Sequence, residues 1–463
     1  MRIILSVTLT LNEIAKDALS EHIPHNSVII KAIATNSNEV CSGDLFVALA
    51  GDKGSGEDYI QDAKIRGAYV LSARDKNAHI KVKDTTLALL KIASYYKSKL
   101  TNLRKTVAIT GSVGKTTTKN ALAKMLSSKY KTHATEANYN NFIGLSYTLL
   151  SAPADTEIIV AEIGMNHLGE ISLLSRMLKP DIAIITNIGT SHIGNLGSRE
   201  LIAKAKLEIT DGMSNINLVV PYEEKLLKNA DGIHTVSIEN PNADCYLQII
   251  YENSSHTSFN IYSPNTNLTD LKIIIPGKQI LNALVLSVKA MELIGINEAD
   301  IKNSIKLIDT NCVRGKIIKI DDFFAYDDTY SSSAEAVLSD FELLSLYKDK
   351  PRSCMLGDML ELGDETENLH KKIGRAVFEH GFRNLYAIGN FAPLIAAGAI
   401  GAGMRKENVF INTDPDAIDI TAKQILINHV ENELILFKAS HNIHAERIIQ
   451  LLLKYTDKGN ERN

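Results

Sequence analysis

The sequence has little of several features that would each indicate a particular class of protein. It has four cysteines in 463 residues (Cys41, Cys245, Cys312 and Cys354) and no CxxC pair. This excludes a disulfide framework and is typical of free thiols in a reducing cytosol. The formal net charge of −4 disfavours broad nucleic-acid binding. With no apolar run of about 18 residues, we expect no membrane span and a cytoplasmic location.

The first residues resemble a signal peptide only superficially. Threonines interrupt the apolar stretch 3–11, and Asn12 and Glu13 follow it directly. A secretory signal has an uninterrupted apolar core and a cleavage site flanked by small residues. We therefore predict a strand that leads into a helix.

A chain of 463 residues exceeds one hydrophobic core and predicts about three domains, which we place at residues 1–84, 85–310 and 311–463. The first carries short β-like runs. In the other two, strands that are apolar throughout alternate with helices, as in parallel sheets covered on both faces. Residues 240–275 are expected to add antiparallel strands. We predict an α/β fold with a small N-terminal domain, a central domain with a mainly parallel sheet, and a Rossmann-like C-terminal domain.

The stretch "VAITGSVGKTTTKN", residues 107–120, has the order of strand, loop and helix that a phosphate-binding loop requires. Gly111 and Gly114 allow the backbone N–H groups to turn inward, and the helix N-terminus adds its dipole. Lys115 can reach the outer phosphates, and Thr116 can place its hydroxyl on Mg²⁺. The alternative is a glycine turn that only caps a helix. The central domain is thus predicted to be a P-loop ATPase, with nucleotide-binding residues Gly111, Ser112, Val113, Gly114, Lys115, Thr116 and Thr117.

Two polar residues follow neighbouring strands of the central domain. Glu162 ends "EIIVAEIG", and His192 follows "DIAIITNIGTSH". The carboxyl ends of parallel strands meet at one edge of the sheet, where ligands bind. A carboxylate and a neutral imidazole there could complete a metal shell. Taken alone, His192 would be interpreted as a structural loop residue, but its pairing with Glu162 and the loop favours a functional role.

One lysine falls on the apolar side of a predicted helix. In "SRELIAKAKLEI", Ile202, Ala205, Lys206 and Ile209 have the spacing of a buried stripe, whereas Lys204 points elsewhere. A desolvated lysine exists partly as the free amine, which can react with CO₂ to give a carbamate. From the pattern alone, a lysine that extends its amine to solvent at the stripe edge is the favoured alternative.

These motifs converge on a known family. The segments "TGSVGKTTTKN", "EANYNNFIG", "AEIGMNHLGEI", "TNIGTSHIGNLGS", "AKAKLEI", "DDTY" and "LGDMLELGD" resemble the Mur ligases, over residues 30–450. "MLGDMLELG" after "DDTY" is most similar to the members that join D-alanyl-D-alanine to UDP-N-acetylmuramoyl-tripeptide in peptidoglycan precursor synthesis. The resemblance implies a monomeric, ADP-forming ligase that works through an acyl phosphate.

The resemblance also implies an order of domains, cofactors and residue roles. The three domains would bind the UDP substrate, ATP and the incoming amine, in that order along the chain. ATP and two Mg²⁺ ions are the implied cofactors, and Lys206 would be carbamylated. The implied catalytic residues are Lys115, Glu162, His192 and Lys206, and the implied metal ligands are Thr116, Glu162, His192 and Lys206. Asn282 would contact adenine, Arg314 a phosphate and Asp328 the ribose, while Ser37, Asn138 and Asn141 would face the UDP-peptide.

Departures from the family pattern lie in the two outer domains and just before the adenine asparagine. They are "NSN" at 36–38, "SGE" at 55–57, "GKQILNAL" at 277–284, "YSSSA" at 330–334 and "KASH" at 438–441. Two alternatives stay open: a sibling or folate-type amino-acid ligase, and a nucleotide-binding regulatory protein with weakened catalysis.

Overall fold

The computed structural model describes residues 1–51, 54–228, 232–414 and 417–460 and contains three large β-sheets flanked by helices. The predicted α/β fold class is confirmed. In the described part of the chain, no helix has both the length and the apolar content to cross a bilayer. All four cysteines are free thiols, and only Cys41 is exposed.

The first sheet has five strands in the order β1-β2-β3-β6-β7, with a separate two-residue hairpin of β4 and β5. As predicted, its first strand leads directly into a helix, which Thr10 and Glu13 cap reciprocally. The strands are β1 (Arg2–Thr10), β2 (Ile29–Ala34), β3 (Leu45–Val47), β4 (Ala50–Gly51), β5 (Gly54–Ser55), β6 (Tyr69–Ser72) and β7 (Ile80–Lys81), and the helices are α1 (Leu11–Glu13) and α2 (Ile60–Ile65). The next helix, α3 (Thr85–Ser98), packs mainly on the second-sheet helix Phe142–Leu150.

The second sheet has nine strands in the order β16-β15-β14-β13-β12-β11-β8-β10-β9. It is parallel from β9 to β14 and antiparallel from β14 to β16. Its strands are β8 (Lys105–Thr110), β9 (Thr132–Ala134), β10 (Ile158–Glu162), β11 (Ile182–Ile185), β12 (Leu218–Pro221), β13 (Ile233–Ile238), β14 (Cys245–Glu252), β15 (Thr257–Ser263) and β16 (Thr266–Ile273). Its helices are α4 (Lys115–Leu126), α5 (Phe142–Leu150), α6 (Glu170–Leu178), α7 (Ile193–Leu196), α8 (Arg199–Leu207), α9 (Lys278–Ile294) and α10 (Glu298–Ile305).

The third sheet has six strands in the order β17-β18-β22-β19-β20-β21, and all pairs except β17/β18 are parallel. Its strands are β17 (Lys316–Ile320), β18 (Phe323–Asp328), β19 (Arg352–Gly357), β20 (Leu385–Ile388), β21 (Val409–Asn412) and β22 (Leu434–Lys438). Its helices are α11 (Ala334–Leu344), α12 (Thr366–Glu379), α13 (Ala392–Ala402), α14 (Ile418–Asn428) and α15 (Glu446–Asn460).

The register of the second sheet brings three chain segments together. Strands β8, β10 and β11 are buried almost throughout, because helices cover both faces. Glu162 pairs with Ile109, and Ile185 pairs with Thr110. The loops that follow these strands therefore begin at the same height, on the carboxyl edge of the sheet.

Candidate active site

A cleft of about 390 Å³ lies where the carboxyl edge of the second sheet faces the third sheet. From the second sheet it is lined by the phosphate loop, Glu162 and His192. From the third sheet it is lined by Arg314, Asp328, the segment 330–333, the segment 360–362, Lys438 and the segment 440–442. The cleft thus collects most of the polar residues that the sequence motifs indicated.

The phosphate loop needs glycine at its first position. Gly111 has a φ of +151°, and a Cβ there would lie 1.8 Å from Thr186 Oγ1. The N–H groups of Ser112 and Val113 donate to Asn187 Oδ1 over 3.0 and 2.8 Å, so the side chain of Asn187 shapes the loop. The next residues, Gly114–Thr117, line the cleft. Because the first N–H groups of a helix have no intrahelical acceptor, the start of α4 presents free donors to an anion.

Lys115 folds back over the loop that it follows. Its Nζ donates to the carbonyl of Gly111 over 2.8 Å and to that of Ser112 over 3.4 Å. Burial lowers the pKa of Lys115; the charge of Glu162 opposes this, and Arg314 adds to it. A phosphate anion in the cleft would take the place of these two carbonyls and give the Lys115 ammonium group an oppositely charged partner.

Glu162 is fully buried and is the acceptor at the centre of the site. Its carboxylate accepts from Thr116 Oγ1 and from Asn140 Nδ2, each over 2.8 Å. Thr116 Oγ1 also accepts from Arg314 over 2.5 Å, and the Arg314 guanidinium lies 4.7 Å from the ring centre of Tyr330. Arg314 therefore extends from the third-sheet side of the cleft to the hydroxyl of Thr116, next to Lys115.

His192 has a φ of +62° and projects into the cleft from the loop after β11. Its Nδ1 is hydrogen-bonded to the carboxylate of Glu361. Burial is the main cause that lowers the pKa of His192; Glu361 opposes the shift, and the charges of Lys115 and Lys206 add to it. The neutral imidazole, the form that binds metal ions, is thereby favoured.

Lys206 is buried, with 2% of its surface exposed, and Ile202, Ala205 and Ile209 are fully buried beside it, whereas Lys204 is exposed. Lys206 therefore lies within the buried stripe that the helical spacing marks, whereas the pattern alone favoured an amine extended to solvent at the stripe edge. The pKa of Lys206 lies well below its usual value because of burial and the charge of Lys115. Among the described residues no hydrogen-bond acceptor contacts its amine, so the side chain lies where a free amine is favoured over an ammonium ion.

Asp328 belongs to a buried charged triad. Lys438 Nζ contacts the carboxylate of Asp328 and lies 3.0 Å from Asp340 Oδ2. Burial raises the pKa of Asp340 to about 7. Burial alone would lower the pKa of Lys438, but the two carboxylates outweigh it and raise that pKa. Asp328 Oδ1 is buried, and a hydrogen bond between the carboxyl groups of Asp340 and Asp328 adds to the rise in the pKa of Asp340.

The triad predicts a pH-dependent contribution to stability. Between the unfolded pKa of Asp340, near 4, and its folded pKa of about 7, the folded state binds more protons, so stability falls as pH rises. Relative to Asp340→Asn, the free energy of unfolding of the wild type should fall by on the order of 1–2 kcal/mol from pH 5 to pH 7. Urea titrations of both proteins across this range measure the difference. The exposed variant Asp349→Asn should track the wild type, and a pH-independent difference for Asp340→Asn would contradict the prediction.

The remaining predicted residues lie in different places. Asn138 lines the cleft. Asn141 Oδ1 accepts from Gly144 N over 2.9 Å and caps α5, while the neighbouring Asn140 enters the cleft. Asn282 lies one turn beyond Gln279 on α9, and of the two only Gln279 is among the described residues that line the cleft. Ser37 is buried in the first-sheet region, apart from this cleft.

The departures from the family pattern have local structural roles. Asn36 Oδ1 accepts from Asn38 N over 3.1 Å and caps a short 3₁₀ turn. Glu57 accepts from Ser72 Oγ over 2.6 Å and from Ala73 N over 2.9 Å, which connects the 3₁₀ turn before α2 to the end of β6. His441 lines the cleft, with its ring 5.8 Å from that of Tyr330.

The donor set in the cleft suits a hard divalent cation. The described residues contain no cage of three or more His, Cys, Asp or Glu ligands. Mg²⁺ does not require such a cage, since it is bound by one or two protein oxygens together with phosphates and waters. The carboxylate of Glu162 and the hydroxyl of Thr116 lie 2.8 Å apart at the mouth of the phosphate loop and fit this pattern.

The comparisons with known proteins agree with this geometry. Residues 109–290 match the family model described as Mur ligase middle domain. The UDP-N-acetylmuramoyl-tripeptide–D-alanyl-D-alanine ligase of Bacillus subtilis is 34% identical over 442 residues, which is 93% of this chain and 94% of the relative. The match extends over the regions of the first and third sheets as well as the central sheet.

Solved structures show the same similarity over almost the whole chain. A MurF structure from Acinetobacter baumannii superposes with a TM-score of 0.86 at 25% identity, covering 98% of this chain and all of the other. A MurF ligase from Thermotoga maritima in complex with ADP superposes with a TM-score of 0.77 at 26% identity, covering 92% of this chain and 98% of the other. The fold, the cleft and the similarity along the chain together show that this protein belongs to the Mur ligase family.

Proposed function

We propose that this chain is an ATP-dependent ligase that joins D-alanyl-D-alanine to UDP-N-acetylmuramoyl-tripeptide, forming ADP and phosphate. The observation that carries the proposal is the meeting of the phosphate loop, Glu162, His192 and Arg314 in one cleft between two sheets. The Bacillus subtilis ligase and the two MurF structures each match more than 90% of this chain, which supports the choice of substrates.

The nucleotide would lie with its phosphates on the start of α4. Lys115 and Arg314 supply positive charge to the phosphates, and the helix N-terminus supplies free N–H donors. Asp328 lines the cleft, where its carboxylate would accept from a ribose hydroxyl. Lys438 holds one oxygen of this carboxylate and fixes its orientation.

Thr116 and Glu162 would hold one Mg²⁺, and His192 with carbamylated Lys206 would hold a second. When bound, the ions supply charge neutralisation between the carboxylate and the phosphates, which otherwise repel each other. Asn140 orients Glu162 through its hydrogen bond, and Arg314, which donates to Thr116 Oγ1, would move to a phosphate when that hydroxyl binds the ion. Thr116 and Glu162 would therefore be the ligands of this ion, and Asn140 would hold Glu162 in place.

The reaction follows in two steps. A carboxylate oxygen of the tripeptide attacks the γ-phosphorus, the bond to the β–γ bridging oxygen breaks, and ADP leaves. The dipeptide amine then attacks the acyl carbon of the acyl phosphate, phosphate leaves, and the amine loses a proton. A carboxylate is a poor electrophile, so the phosphoryl group provides the leaving group that amide formation needs. Closure of the third sheet over the cleft would exclude water, which would hydrolyse the intermediate.

A phosphate-release assay tests the proposal. Purified protein with ATP and Mg²⁺ should release phosphate rapidly only when both UDP-N-acetylmuramoyl-tripeptide and D-alanyl-D-alanine are present, and mass spectrometry should detect the pentapeptide product. Varying the third peptide residue between diaminopimelate and lysine identifies the natural substrate. Turnover with another amino acid in place of the dipeptide would favour a sibling ligase, and ATP binding without turnover would favour a regulatory protein.

A further inference from the structure

The motif "LGDMLELGD" contacts the catalytic side of the cleft directly. Its segment 361–363 packs against the segment 192–194 of "TSHIGN", although the two lie 169 residues apart in sequence. The Glu361 carboxylate bonds to His192 Nδ1, and the backbone N–H of Gly194 donates to the carbonyl of Glu361 over 2.8 Å. We name the contact between these two segments the histidine dock.

Two glycines allow the backbones of the histidine dock to approach this closely. A Cβ on Gly194 would lie 2.6 Å from Gly363 N and 2.8 Å from the Glu361 carbonyl oxygen. A Cβ on Gly363 would lie 2.9 Å from Gly194 Cα. Between the polar contacts, Ile193 packs on the apolar cluster of the third sheet that includes Leu362. The contact is therefore built from backbone, apolar and charged groups together and is more than a chance surface ion pair.

Both polar partners have a backbone conformation that non-glycine residues rarely adopt. The φ of His192 is +62°, and that of Glu361 is +61°. Such conformations persist only where the surrounding structure stabilises them, and they concentrate at functional sites. Glu335 holds the loop that carries His192 at a second point. Its carboxylate accepts from Thr190 N over 2.8 Å and from Thr190 Oγ1 over 3.1 Å.

We propose that Glu361 is a positioning residue that acts through His192 and aims its Nε2 into the cleft. A carboxylate on Nδ1 keeps the ring proton there and leaves the Nε2 lone pair for a metal ion. The signature motif thus completes the catalytic centre only when the third sheet is docked on the second. This inference rests on the proposed function, because the reaction it tunes is the ligation.

Steady-state kinetics and a double-mutant cycle test the inference. Glu361→Ala should lower kcat by about 10- to 100-fold, the usual cost of losing a partner that orients a ligand, with little change in the KM for ATP. Glu361→Gln, whose amide oxygen can still accept from Nδ1, should recover part of the loss. In a His192→Ala background, Glu361→Ala should change kcat by less than about twofold, since the two residues act as a unit. Equal losses in both backgrounds would overturn the inference.

Control variants distinguish the loss of the histidine dock from a general loss of stability. Gly194 has no unusual φ, so Gly194→Ala is tolerated locally but clashes across the histidine dock, and its kcat should fall as that of Glu361→Ala does. The exposed neighbours Asn195→Ala and Asp364→Asn should keep wild-type kcat. Glu361 is 47% exposed, so its loss should leave the melting temperature almost unchanged. Wild-type kcat in Gly194→Ala would contradict the role of the dock.

A spectroscopic readout does not depend on ligation. Long-range ¹H–¹⁵N spectra of histidine-labelled protein, with His192 assigned by its absence in His192→Ala, should show the Nδ1–H tautomer in the wild type and a tautomer mixture in Glu361→Ala. An Nε2–H tautomer in the wild type would overturn the inference. A wild type with this tautomer but no turnover would instead refute the proposed function alone.

Discussion

Lys115→Ala is expected to lower ATP turnover by about 10³-fold or more. Cationic groups that stabilise the transferred phosphoryl contribute about 10³ to 10⁵ in rate, and preorganised donors contribute about 10² to 10³ each. Lys115 stands at the start of α4 with its amine held by two loop carbonyls, so it is already placed for the phosphates. Phosphate release at saturating ATP, with both other substrates present, measures the loss.

The control for Lys115 lies on the same helix. Lys124 is partly exposed and its amine is 3.5 Å from Asp309, so Lys124→Ala removes an equal charge away from the cleft. It should retain activity within about twofold, because exposed ion pairs contribute little. Lys115→Ala should also unfold at about the wild-type temperature, since Lys115 is only half-buried and, within the described ranges, its amine contacts only two loop carbonyls. Activity above a third of the wild type in Lys115→Ala would contradict phosphate binding by this loop.

The residues that sequence reasoning placed well are those governed by local spacing. The α/β fold followed from apolar strands alternating with helices. The position of Lys206 on the buried stripe followed from its helical phase with Ile202 and Ile209. Its degree of burial did not, because the pattern alone favoured an amine extended to solvent. Because parallel strands end at the same edge of a sheet, Glu162 and His192 were predicted to lie near the phosphate loop. Both line the cleft.

What sequence reasoning missed depends on contacts between distant segments. Glu361 and Glu335 lie 169 and 145 residues from the residues they contact, and no periodicity connects them. Asn140 rather than Asn141 enters the cleft, because the start of α5 uses Asn141 as its cap. The presence of "LGDMLELGD" indicated the family, but only the packing of two sheets shows what the motif touches.

Lys206→Ala should lower kcat by about 10²-fold or more, and short carboxylates such as formate or acetate should restore part of the activity. The amine of Lys206 is buried beside Lys115 and has no acceptor among the described residues, so an ammonium ion is disfavoured there. Conversion to a carbamate replaces that charge with an anion that Lys115, His192 and a metal ion can all stabilise. A small carboxylate diffusing into the space left by the side chain would supply the same anionic oxygens.

Restoration of activity by added carboxylates distinguishes a carbamylated Lys206 from a Lys206 that has only a packing role. Lys204→Ala, on the exposed side of the same helix, should behave as the wild type with or without carboxylate. Lys206→Ala also removes a buried aliphatic stem, so its melting temperature is measured alongside, and the loss of activity is scored at a temperature where the variant is folded. If formate and acetate leave Lys206→Ala inactive, and if the intact wild-type protein carries no added CO₂ by native mass spectrometry, the carbamate is wrong. Lys206 would then act as the free amine that its burial already favours.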